Sequence, residues 1–135
     1  FKIINDTHGH AVGDLILCEF AEVIKSQLRD VDVMGRWGGE EFVILLPYTD
    51  FHIAYEVAER ARVAISRHNF MAGDKVLNIT ASFGVAFRAA AYKLEDIVKQ
   101  ADEALYLAKR EGRNIVRTTE DVEVNKLASI KKLRL

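Results

Sequence analysis

Arg36-Trp37-Gly38-Gly39-Glu40-Glu41-Phe42 is the stretch on which the reading of this chain turns. It lies between two apolar runs, Val31-Asp32-Val33-Met34-Gly35-Arg36-Trp37 before and Phe42-Val43-Ile44-Leu45-Leu46 after. Paired glycines between strand-like runs predict a tight hairpin turn. Most such tips carry no chemistry. Here two carboxylates, Glu40 and Glu41, follow at once, beside backbone bare enough for a ligand to come close. Adjacent acids on an exposed turn point to a divalent cation and a phosphate-bearing substrate. Taken without their neighbours, they read more simply as solvated turn acids.

Around the turn the periodicity alternates between helix and strand. Ile16, Phe20, Val23, Ile24 and Leu28 keep helical spacing from Asp14 to Leu28. After the hairpin, Pro47 marks a strand end. Asp50 is placed to cap a helix reaching about His68, with Ala54, Val57, Ala58, Ala61 and Ile65 on one face. Asn69 to Lys75 contains Gly73-Asp74 and reads as a loop. Ile79, Ala81, Phe83, Val85 and Phe87 alternate, predicting a strand with one buried face. Leu94, Ile97, Val98, Ala101, Leu105 and Ala108 predict a third helix ending at Gly112, and Asn114-Ile115-Val116 a short last strand. The expected fold class is α/β (α+β): a layer sandwich with helices flanking a mainly antiparallel central sheet.

Composition bounds the function. At 135 residues, half hydrophobic and 29% charged, the chain fits one domain with a real core. A net charge of -1 gives no nucleic-acid or membrane footprint. The single cysteine, Cys18, excludes an internal disulfide and fits a reducing compartment, here the cytoplasm. No apolar stretch is long enough to span a bilayer, so membrane attachment would come through further regulatory segments. The chain begins at Phe1 without a Met and is expected to be a piece of something longer. Residues 118–135 differ in composition: Val124, Leu127, Ile130 and Leu133, with Lys131, Lys132 and Arg134, suggest a helical tail with a basic end.

Four segments together resemble the GGDEF domains, the diguanylate cyclases. They are Phe1-Lys2-Ile3-Ile4-Asn5-Asp6-Thr7-His8-Gly9-His10-Ala11-Val12-Gly13-Asp14, the Arg36–Phe42 turn, Thr80-Ala81-Ser82-Phe83-Gly84-Val85-Ala86, and the run from Ala101 to Asn114 containing Lys109-Arg110-Glu111-Gly112-Arg113-Asn114. The resemblance covers residues 1–117 and leaves 118–135 as a C-terminal tail. It implies a fold like that of nucleotidyl cyclases and the polymerase palm. It also implies condensation of two GTP into cyclic di-GMP with release of two pyrophosphates.

By the same resemblance, Glu40 helps hold Mg²⁺ (or Mn²⁺), which suits oxygen ligands. Glu41 is the second acid, and which of the two takes the 3′-hydroxyl proton stays open. Asn5, His10 and Asp14 correspond to the guanine pocket, set in one loop. An ionised Asp14 can accept from the N1–H and N2–H₂ edge that adenine lacks, although an N-cap role is also open to it. Gly38 and Gly39 let the phosphates approach. Lys2 would offset phosphate charge, its bland alternative being an exposed strand lysine. Lys109 and Arg113 would grip the triphosphate, their four-residue spacing putting them on one side of the chain. Arg29 and Asp32 match an Arg-x-x-Asp product-inhibition site, with Arg60 a further candidate. The bland alternative there is a surface ion pair.

The family's second metal carboxylate falls before Phe1, so these residues alone are expected to hold an incomplete metal site and to be inactive. Catalysis is expected to need a homodimer, because one site cannot supply both halves of the reaction. The rival reading is a catalytically silent sensor that binds GTP or cyclic di-GMP. Turnover separates the two. Cys18, Trp37 and Tyr106 are expected to pack, and His8, His52 and His68 show no metal spacing.

Overall fold

The chain opens in a helix, so the bland alternative of a strand lysine does not apply to Lys2. α1 spans Lys2–His8 and is closed by Gly9, whose N–H returns to the Asn5 carbonyl at 2.8 Å. α2 follows directly, from His10 to Lys25. The computed structural model of the chain describes residues 1–87 and 93–133, with side chains as far as 126. Backbone contacts group these residues into two units, Phe1–Thr49 with Val63–Ile79, and Asp50–Arg62 with Thr80–Leu135.

In the first unit, α2 buries Ile16, Leu17 and Ile24 and packs on β3 (Phe70–Ala72). Phe70 and Ile65 are fully covered. Burial of side chains of this size is worth roughly 1.5–3 kcal/mol each, which makes them the anchors of this core. β1 (Val33–Gly38) and β2 (Glu41–Leu45) form the expected antiparallel hairpin, with Val33 opposite Leu45 and Gly38 opposite Glu41. The segment Asn69–Lys75 is not a loop. β3 and β4 (Lys75–Leu77) form a second antiparallel hairpin around Gly73-Asp74, with Phe70 opposite Leu77. Phe70 and Ala72 point inward and Met71 outward, a period of two too short to register as a pattern.

In the second unit, α3 (Phe51–Arg67) contributes the part up to Arg62. It starts where Asp50 was expected to cap it, the Asp50 carbonyl accepting the Ala54 N–H at 2.9 Å. Ala58, Ala61 and Ile65 of its predicted face are buried. α4 (Leu94–Arg110) packs on β5 (Phe83–Val85) and β6 (Val116–Thr118), which pair in parallel. The long alternating strand from Ile79 to Phe87 shrinks to these three residues, all half-buried, and Phe87 is 52% exposed. The last strand lies two residues later than expected.

α4 closes as its glycine predicted: Gly112 has φ +111°, and the Arg113 N–H reaches back to the Ala108 carbonyl at 3.0 Å. α5 (Thr119–Leu133) begins with a reciprocal cap. The Thr118 N–H donates to Asp121 Oδ2 at 2.8 Å, and the Asp121 N–H donates to Thr118 Oγ1 at 3.3 Å. The tail is thus helical, while the side chains of Leu127, Ile130, Lys131, Lys132 and Leu133, and all of Arg134, lie outside the described residues. Among the described residues two of the three strand pairs are antiparallel, so the fold is α+β with mainly antiparallel pairing, as expected. Among the described residues no helix is long and apolar enough to cross a membrane.

Candidate active site

The turn between β1 and β2 consists of Gly39 and Glu40. Gly39 has φ +51°, a left-handed conformation at the first turn position that a side-chain-bearing residue adopts only with strain. The pairing slips between Arg36 and Gly38, a bulge that places Trp37 at 62% exposure rather than packed beside the turn. Two contacts hold the tip. Arg36 Nε donates to the Gly39 carbonyl at 2.8 Å, and Phe42 stacks against Phe20 of α2 with ring centres 5.6 Å apart. Glu40 and Glu41 are consecutive and exposed. Their carboxylates suit a hard cation, and Mg²⁺ ordinarily takes one or two such groups plus water and substrate phosphate. Among the described residues no group of three or more His, Cys, Asp or Glu is gathered around a common metal position.

Gly13, the neighbour of Asp14 on α2, lies against Asn5. A Cβ at Gly13 would collide with Asn5 Oδ1, so only glycine lets the α1 amide sit against α2. Asn5 Oδ1 is buried and has no hydrogen-bond partner among the described residues. An orphaned acceptor costs free energy until a donor reaches it. Asp14, one residue on, and His10 are exposed on α2. These residues do not share a loop: Asn5 lies on α1, His10 and Asp14 on α2. Gly9 is the N-cap, which removes the capping alternative for Asp14. Lys2 is exposed on α1.

Arg29 and Asp32 form more than a surface ion pair. Asp32 accepts from the Arg29 backbone N–H (2.7 Å), Nη2 (2.8 Å) and Nε (3.2 Å). Arg29 Nη2 also donates to the Pro47 carbonyl at 3.0 Å and to Thr49 Oγ1 at 2.6 Å, closing the loop onto the end of β2. The Asp32 side chain is 1% exposed and that of Arg29 51%. The guanidinium hydrogen bonds hold the Asp32 carboxyl below the usual range and raise the Arg29 pKa.

In the second unit, Lys109 is exposed in the last turn of α4. Arg113 lies beyond the helix, with φ +63°, so four-residue helical spacing does not apply to the pair. Asn114 follows with φ +50°. Its N–H donates to Ser82 Oγ at 3.2 Å, and its Oδ1 accepts from Arg62 Nη1 at 2.9 Å. Arg60 is exposed on α3.

The sequence model of the family described as "Diguanylate cyclase, GGDEF domain" matches residues 1–115. The chain belongs to the GGDEF family. It is 44% identical to diguanylate cyclase A of Treponema denticola, over 86% of this chain and 32% of that protein. Across the curated relatives it matches first, it spans about a third of their length or less. Among solved structures it is similar to the active GGEEF domain of a Vibrio cholerae diguanylate cyclase, at 37% identity and TM-score 0.80, covering 87% of this chain and 75% of that one. It is also similar to the GGDEF domain of Caulobacter crescentus DgcB in complex with c-di-GMP, at 33% identity and TM-score 0.83, covering 88% and 71%.

The GGDEF segments also hold residues whose work was not foreseen. Arg36, Ser82 and Asn114 stand inside the matched motifs, so their presence was a signal without a role. Thr49 and Arg62 carried no signal, because their partners lie about 20 and 52 residues away. Three expectations of packing fail. Cys18 is exposed, as is Trp37, and Tyr106 is 65% exposed with the Arg110 guanidinium 5.9 Å from its ring centre.

Proposed function

We propose that this chain is the catalytic domain of a diguanylate cyclase, with residues 1–117 forming the GGDEF domain and 118–135 an appended tail. The observation that carries the reading is the Gly39–Glu40 turn. It sets two exposed carboxylates on a tied hairpin, in a chain similar to an active GGEEF domain. Asn5 Oδ1, buried and unpartnered, supports a base pocket with Asp14 and His10. Two acceptors there select guanine, whose edge donates, over adenine.

The reaction needs two copies facing each other, each holding one GTP. The 3′-oxygen of one GTP attacks the α-phosphorus of the other, the bond to the bridging oxygen breaks, and pyrophosphate leaves. The 3′-hydroxyl proton passes to a base, for which Glu40 and Glu41 are both candidates. Lys109 and Arg113 bind the triphosphate, Lys2 offsets charge on the phosphoryl oxygens, and Gly38 and Gly39 leave room for them. Glu40 would hold Mg²⁺ or Mn²⁺, which when bound neutralises phosphate charge. Product binding at Arg29, Asp32 and Arg60 would inhibit the enzyme. A cytoplasmic setting, where GTP is available and a lone thiol stays reduced, is part of the same proposal.

The test is GTP turnover with Mg²⁺ by these residues joined to a preceding family strand that supplies the second carboxylate. Cyclic di-GMP is expected, and Glu40→Ala should lower its rate by about 10²–10⁴, several kcal/mol of charge stabilisation. No product from a folded dimer overturns the cyclase reading in favour of a silent sensor, which would still bind GTP or cyclic di-GMP.

A further inference from the structure

Gly112, Arg113 and Asn114 form a corner of the second unit in which three consecutive residues have positive φ, at +111°, +63° and +50°. For residues bearing a Cβ this region is unfavourable, and such backbone persists only where its surroundings hold it. Asn114 is held at three points. Its N–H donates to Ser82 Oγ, and Arg62 Nη1 donates to its Oδ1 at 2.9 Å and its carbonyl at 3.4 Å. The other edge of the Arg62 guanidinium forks onto Glu59, Nε to Oε2 at 2.9 Å and Nη2 to Oε1. Arg62 is only 19% exposed while Asn114 lies at the surface, so the clamp ties an exposed corner to a largely covered guanidinium. Arg113, between the helix end and the clamp, is fastened through its backbone N–H while its side chain is exposed.

We propose that Arg62 is a positioning residue for polyphosphate binding. By clamping Asn114 it fixes the left-handed corner, and with it the direction from which the Arg113 guanidinium meets a phosphate. The inference rests on the proposed phosphate role of Arg113. A corner left free would have to be ordered when ligand binds, and that ordering subtracts from affinity. Glu59 occupies the rest of the Arg62 fork, so Arg62 acts through Asn114 and is not itself a phosphate ligand.

The test is calorimetric titration of the protein with GTP and with GMP, both in Mg²⁺, beside thermal unfolding of each variant. Arg113→Ala lowers the affinity for GTP and spares that for GMP, which establishes the phosphate role. Arg62→Gln then lowers GTP affinity about tenfold with GMP unchanged. Asn114→Gly does the same without loss of thermal stability, because glycine is at ease at this φ while the Oδ1 is gone. Should Arg62→Gln fail to fold, the glycine variant decides. An unchanged GTP-to-GMP ratio in these variants, beside a loss in Arg113→Ala, overturns the positioning role and leaves the phosphate role standing. Equal losses for GTP and GMP also overturn it, since they mark a clamp that only supports the fold. No effect of Arg113→Ala removes the phosphate role and this inference together.

Discussion

Arg29 with Asp32, and Glu59 with Arg62, are both forked ion pairs three residues apart, the first in a loop and the second on a helix. On the helix, geometry brings residues of that spacing together without further help. In the loop the backbone must turn for the same meeting, and it does so through the Asp32 N–H to the Arg29 carbonyl and the Arg29 N–H to Asp32 Oδ2. Each arginine spends a remaining donor on a distant segment, Arg29 on Pro47 and Thr49, Arg62 on Asn114. Their exposure is inverted. In the loop the acid is covered and the arginine open, at 1% and 51%; on the helix the arginine is the more covered partner, at 19% against 38%. The open face of the loop pair is therefore the Arg29 guanidinium, and Asp32 is reached only if the pair parts.

The loop pair should carry more of the fold. Asp32→Ala removes the acceptor of a backbone N–H and two guanidinium nitrogens, and should lower the unfolding midpoint by about 4–8 °C, read by calorimetry. Glu59→Ala should cost less than half of that, since Arg62 keeps Asn114 and the helix keeps its backbone bonds. Equal losses would break the comparison.

Acid titration sharpens it. Guanidinium hydrogen bonds are the main cause that holds both carboxyls below their usual range. Such a group adds stability that is present above its unfolded-state pKa, about 3.9 for Asp and 4.3 for Glu, and lost as the pH falls through the lower folded-state value. The protein should therefore lose stability as the pH drops below about 4. Asp32→Asn should flatten that fall visibly and Glu59→Gln less so, because the more exposed Glu59 is better screened. An unchanged slope in Asp32→Asn would remove the pair as its source.

What could be read beforehand follows the range of the interactions. The hairpin turn and the Gly112 helix stop are set by one or two residues and both were legible, although the turn closes on Gly39–Glu40 and leaves Gly38 in β1. The Arg29–Asp32 pair was legible as a pair, whereas its attachment to Thr49 depends on where β2 ends. Alternation from Ile79 to Phe87 misled because it reports apolar spacing and not pairing, and only Phe83–Val85 finds a partner strand in β6. Asn69–Lys75 misled in the opposite sense, since three-residue strands leave no period to see. The helical setting of Lys2 and Asn5 depends on the Phe1 carbonyl accepting the Asn5 N–H, which no composition signal marks.

Thr49→Val is the smallest change that separates the loop pair from its anchor. The hydroxyl accepts from Arg29 Nη2 at 2.6 Å and donates to the Pro47 carbonyl at 2.9 Å, and valine keeps the shape while losing both. Arg29 still has Asp32 and the Pro47 carbonyl, so the midpoint should fall by only about 1–3 °C. The acid dependence should stay as in the unaltered chain, because the Arg29–Asp32 fork is intact. A fall as large as that of Asp32→Ala would mean that the tie to the end of β2, rather than the ion pair, holds this loop closed.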